Sequence, residues 1–94
     1  MTYGKLINSN DKVIILFYSD WHQDCMFAQQ VLAQISSQLG ETCKAVKIDT
    51  DKNDELCSAL RIKGLPTFLV YKEGQMAFRH SGEISKEQFL IQLQ

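Results

Sequence analysis

The residues best equipped for chemistry lie in one short run, Trp21-His22-Gln23-Asp24-Cys25, followed much later by Leu65-Pro66-Thr67. A thiol and an imidazole stand three residues apart, where an apolar run gives way to a helical pattern. Two thiols at this spacing would make a dithiol couple. One attacks as a thiolate to form a mixed disulfide, and the second resolves it. Here His22 holds the first position, and an imidazole forms no mixed disulfide. Cys25 is the one sulfur left, at the second position. A free thiol with a pKa near ~8.5 is already only a few per cent thiolate at neutral pH.

His22 admits several readings. The plainest is a solvent-exposed residue at the helix start. A protonated His22 activating Cys25 one turn away is another. A metal site from His22, Asp24 and Cys25 is a third, and it lacks a fourth ligand in the sequence. Direct recognition of a partner is the fourth. Trp21 reads as packed partly over the site. Asp20 and Asp24 read as helix-entry residues favoured by the dipole, not as acid/base groups. His80 reads as solvated. No paired carboxylates, phosphate-cradling glycine loop or Ser-His-Asp arrangement is visible. No cofactor or resident metal is expected.

The elements that position these residues follow from periodicity. Val13-Ile14-Ile15-Leu16-Phe17-Tyr18 is continuously apolar, β-branched and aromatic, so a strand from Lys12 to Tyr18 is predicted, buried on both faces. From Cys25 to Leu39 apolar residues recur at intervals of three and four, which predicts a helix ended by Gly40. Cys43–Ile48 is a second strand. Asp51 to Asn53 can cap a helix carrying Leu56, Cys57 and Leu60 and reaching toward Ile62. Thr67–Tyr71 is a third strand, turned by Glu73-Gly74 into a fourth at Met76–Phe78. Ser85 and Gln88 form a capping-box pattern opening a last helix with Phe89, Leu90 and Leu93 on one side. Residues 3–11 make a short first helix. Strand–helix–strand units imply parallel pairing, and the closing hairpin adds antiparallel strands.

Bulk properties bound the function. Ninety-four residues make a single domain, 1–94. Apolar residues are 45% and charged residues 22%, an ordinary globular composition. The net charge is −1 with no block of like charge, so nothing favours nucleic acid or an anionic membrane. The longest apolar run is six residues, far short of the roughly 18 needed to span a bilayer. No apolar leader opens the chain, and a cytoplasmic location is expected. Of three cysteines, Cys43 and Cys57 read as free buried thiols of a reducing compartment.

In this order the chain resembles the thioredoxin family over about residues 12–93. Four features carry the resemblance: Phe17-Tyr18-Ser19-Asp20-Trp21; Lys47-Ile48-Asp49; Gly64-Leu65-Pro66-Thr67; and Lys72-Glu73-Gly74-Gln75 with Gly82. It implies an α/β fold, a minimal thioredoxin fold of order (α)βαβαββα. A mixed four-stranded sheet would carry helices on both faces. It implies a cis Pro66 facing the site and a Cys25 tucked behind the first position. The family's usual extra N-terminal strand has no counterpart, since too few residues precede Lys12. Disulfide-reducing members carry the nucleophilic cysteine where His22 stands, often Gly-Pro at Gln23-Asp24, and a buried acid where Leu16 stands. The lysine that pairs with that acid is retained as Lys47. Groove positions that are often apolar are Thr50, Ser81 and Glu83 here.

Two functions of different class emerge. One is a thioredoxin-like protein related to thiol-disulfide oxidoreductases but without the dithiol, capable at most of monothiol chemistry at Cys25. The other is a non-catalytic module whose Trp21, Leu65 and Pro66 hold an extended segment of a protein or peptide partner by strand addition. A third reading recruits Cys57 or Cys43 as second thiol.

Overall fold

The computed structural model describes residues 2–93. Lys12–Tyr18 forms strand β1, and its five inner residues, Val13 to Phe17, have no exposed surface. Such a run of β-branched and aromatic side chains suits a strand covered on both faces. Strands β2 (Cys43–Asp49), β3 (Thr67–Lys72) and β4 (Gln75–Ser81) complete a sheet of order β2-β1-β3-β4. β2 runs parallel to β1, with Tyr18 opposite Asp49. β3 runs antiparallel to β1, and β4 antiparallel to β3.

Four helices, α1 (Tyr3–Ile7), α2 (Gln23–Leu39), α3 (Asp54–Ala59) and α4 (Lys86–Gln92), divide between the two faces. On one face Ala28, Val31, Leu32 and Ile35 of α2 and Phe89 of α4 pack with Ile14, Leu16, Phe68 and Val70. On the other, Tyr3, Leu6 and Ile7 of α1 and Leu56 and Cys57 of α3 pack with Val13, Ile15, Phe17 and Leu69. Alternation along β1 sends successive residues to opposite cores. This is the minimal thioredoxin fold that the sequence implied, with the expected element order.

Local chemistry closes the elements as read. Gly40 ends α2 with φ 63°, a conformation that glycine takes at little cost. The Ser85 hydroxyl accepts from the Gln88 amide, and the Gln88 side chain accepts from the Ser85 amide. Glu73 and Gly74 both take positive φ, as a two-residue primed hairpin turn demands.

Three expectations are corrected. The second strand–helix–strand unit does not give a parallel pair: β3 lies beside β1 and runs against it. A parallel crossover must carry the chain back along a strand about 23 Å long. Six-residue α3 rises only about 9 Å, so β3 starts from the end where β2 stops. β4 is longer than Met76–Phe78, because its pairing with β3 extends from Gln75 to Ser81. Its polar Arg79 and His80 disguise an edge strand. Asn53 precedes α3, but its side-chain amide donates to the Asp49 carbonyl and leaves the helix uncapped.

Phe89 meets Phe68 edge-on at 4.8 Å and Phe78 at 6.0 Å, with no exposed surface. It ties α4 to two strands. Replacing Phe89 by Ala is expected to lower stability by about 3–5 kcal/mol, read as the shift in urea midpoint.

Candidate functional site

The site forms where β1 ends. Parallel register sets Tyr18 beside Asp49, so the segments that follow, Ser19–His22 and Thr50–Lys52, leave the sheet side by side. Thr50 Oγ1 donates to the Tyr18 carbonyl at 3.1 Å. Ser19 is fully buried, and its hydroxyl donates to Asp51 Oδ2 at 2.8 Å. The same oxygen accepts from the Trp21 indole Nε1 at 3.0 Å. Asp51 is itself held by its amide, which donates to Asp49 Oδ1 at 2.9 Å. One carboxylate thus fixes both sides of the loop.

Cys25 lies in the first turn of α2 with no exposed surface. The Ser19 amide donates to its sulfur at 3.5 Å. Burial pushes the thiol pKa up, and Asp24 pushes the same way, while the Ser19 amide pulls it down. Burial outweighs the amide because it penalises only the thiolate. Among the described residues the group that bonds this sulfur is the Ser19 amide, not the His22 ring.

His22 departs from the expected exposed residue. It is half-buried, its ring 6.1 Å from that of Trp21, and its Nδ1 is occluded without a hydrogen-bond partner. It stands at the N-cap of α2 but makes no side-chain cap. Trp21 does not pack over the site as expected: it is 74% exposed, with its indole nitrogen bonded to Asp51. Leu65 is half-buried against the α1/α3 core, and Pro66 is buried. The Leu65–Pro66 bond is cis, and the Pro66 carbonyl accepts from the Gly82 amide at 2.8 Å. Among the described residues neither the N–H nor the C=O of Leu65 has an internal partner. His80 is half-buried and not simply solvated. It stacks on Phe78 at an interplanar angle of 11°, with Nε2 2.9 Å from the Glu83 carbonyl.

Among the described residues no three His, Cys, Asp or Glu side chains gather as metal ligands, so His22, Asp24 and Cys25 do not assemble into a site. The other thiols are free, buried and distant by topology. Cys43 begins β2 opposite Lys12, a full strand (about 20 Å) from the loop. Cys57 belongs to the core on the far face of the sheet. A bridge to Cys25 would need a Cα separation under ~7 Å, and all three thiols are free. Lys47 faces Leu16 in register, but its ammonium goes elsewhere. It donates to Gln29 Oε1 at 3.0 Å and lies 5.2 Å from the centroid of the Tyr18 ring.

Asp51 and Ser19 are the site residues that sequence reasoning missed. Local pattern makes Asp51 only a helix cap. The parallel pairing of β1 and β2 is the signal that could have placed it beside Trp21.

The Thioredoxin family model matches residues 2–94. The chain belongs to the thioredoxin family. A thioredoxin-like protein of Synechocystis sp. is 35% identical over 89 residues, covering 95% of this chain and 85% of that protein. Thioredoxin Y, chloroplastic, of Oryza sativa subsp. japonica is 30% identical over 99% of this chain. The chain spans 56% of that relative and 52% of Thioredoxin Y1, chloroplastic, of Arabidopsis thaliana, about half the length of each. Among solved structures, chloroplastic thioredoxin z superposes with a TM-score of 0.85 at 32% identity, covering 93% of this chain and 80% of its own. A mutant thioredoxin from Halobacterium salinarum NRC-1 superposes at 0.84 with 27% identity, covering 96% and 80%. Among the described residues no helix is long and apolar enough to cross a membrane.

Two measurements test the site. Replacing Asp51 by Ala strips the acceptor from the buried Ser19 hydroxyl, and a loss of about 1–3 kcal/mol is expected on urea unfolding. Trp21 is the chain's one tryptophan, so its fluorescence anisotropy should fall as the indole is released. The thiols of Cys25, Cys43 and Cys57 all titrate above the ordinary value of 9.0, chiefly through burial. As pH rises through that value the unfolded chain loses these protons first. The urea midpoint should therefore hold below about pH 8 and fall toward about pH 10.

Proposed function

We propose that this thioredoxin-family protein does not carry out dithiol exchange and that its loop site holds an extended segment of a partner protein without reducing it. The carrying observation is the state of Cys25, which has no exposed surface and a thiol pKa pushed upward by burial. An attacking sulfur must reach a disulfide as a thiolate. With His22 in the preceding position, no second thiol stands in this loop or in the first turn of α2.

The two segments at this end of the sheet, after β1 and before β3, carry the groups that peptide recognition requires. The exposed Trp21 ring is a rigid apolar face tethered at one point by Asp51. The unpartnered N–H and C=O of Leu65 can receive an extended backbone, the basis of strand addition. Leu65 and Pro66 shape this surface mainly through their backbone, since their side chains are turned largely into the protein.

A disulfide-reduction assay tests the proposal. The unaltered protein should give no turnover above the reductant blank, and His22→Cys should give measurable turnover. Alkylation of Cys25 in the folded protein should be slow at neutral pH and accelerate only in alkali. Rapid labelling near neutrality would replace the binding reading with monothiol chemistry at Cys25. Turnover by the unaltered protein would overturn the reading altogether.

A further inference from the structure

Among the described residues no strand pairs with the outer edge of β2. β2 is a terminal strand of the sheet, bonded only to β1. Open clefts flank it on both faces. One, of about 290 Å³, lies between α2 and the strand and is lined by Leu32, Ala33, Ala45 and Lys47. The other, of about 310 Å³, lies beneath α1 and α3 and is lined by Tyr3, Leu6, Val46 and Leu56. Consecutive strand residues point to opposite faces. A strand added at this edge would therefore send the side chain opposite Ala45 toward the first cleft and the next toward the second.

Charge selects the occupant. Lys44 and Lys47 bracket these two positions, one on each face. Lys44 has no bonded partner among the described residues. Among the described residues Lys47 is met by the neutral Gln29 amide and the Tyr18 ring. The acid of the strand, Asp49, is taken up by the Asp51 amide.

We propose that the β2 edge binds an extended segment of another protein carrying acidic–apolar–apolar–acidic residues in succession, by strand addition. The acids would face Lys44 and Lys47, and the apolar pair would fill the clefts at Ala45 and Val46. Opposite charges directly across a strand pair are favourable, and like charges are not. A second copy of this chain fits less well. Two β2 edges meeting about a two-fold axis set only residues of like parity opposite one another, because opposed residues share a face. Lys44 can never meet Asp49 in that arrangement. Lys47 meets it only when the overlap shrinks to three residues. The surface is separate from the Trp21 loop and does not depend on the function proposed there.

The test is an amide-resolved NMR titration of the full chain with the capped hexapeptide Thr-Glu-Val-Val-Glu-Thr. Saturable shifts should concentrate in Cys43–Asp49, and the matching Lys-Val-Val-Lys peptide should bind at least about tenfold more weakly. The double variant K44E/K47E should reverse that preference, which separates lost recognition from lost folding. Equal binding of the two peptides, shifts confined to Trp21–Cys25 and Leu65–Pro66, or no saturable shift at millimolar peptide would overturn the proposal. So would a peptide-free dimer whose β2 amides shift on dilution, since that would make a second copy the occupant.

Discussion

Complete burial of β1 is the constraint on which the remaining structure rests. Its five inner residues touch no water, so helices must cover both faces and strands must cover both edges. A short apolar strand satisfies its backbone only by pairing on each side. β2 supplies one partner in parallel, and β3 the other in antiparallel. Once β2 is parallel, both strands stop at the same end of the sheet, and the two loops that leave it have to meet. The contacts among Ser19, Trp21 and Asp51 follow from that meeting. The candidate site is thus a consequence of how the central strand is buried, and it survives a change in the residues that would do chemistry there.

That separation of scaffold from chemistry explains the state of Cys25. The first turn of α2 is pulled against the sheet by Ala28, Val31 and Leu32, which are buried in the core below it. Cys25, one turn before Ala28, falls on the same stripe and is buried with it. A residue at position 22 lies off the stripe and nearer the surface. The chain puts its imidazole in that position and its sulfur on the stripe. The Ser19 amide, which donates to the sulfur, does not restore thiolate character against burial.

Much of this was legible in the sequence where a single local rule decides the outcome. The apolar run of β1, the three-and-four spacing of α2, Gly40 and the Ser85–Gln88 box each act within a few residues, and each forms as read. What escaped depends on the third dimension. The direction of β3 is set by the length of α3 against the length of a strand, and α3 is hard to bound from Leu56, Cys57 and Leu60 alone. The lower exposure of His22 and His80 comes from neighbouring rings, Trp21 and Phe78, that sequence places close without giving their orientation. The high exposure of Trp21 runs against the usual fate of a large aromatic side chain. It is stable because Asp51 satisfies the indole nitrogen while the ring remains in solvent.

Asp51 carries the most general lesson. By local pattern it is one more acid before a short helix, and a capping role is the economical reading. In the fold it is the acceptor for a buried hydroxyl and an exposed indole from another segment. Each bond to a carboxylate is stronger than one between neutral groups. Sharing one oxygen between the two donors couples the position of Trp21 to the packing of Ser19, whose amide reaches Cys25. The aromatic surface and the buried sulfur are therefore connected through a residue that is neither. A change at Asp51 would act on the exposed indole and on the surroundings of the thiol together, whereas a change of the His22 side chain breaks neither of these two bonds.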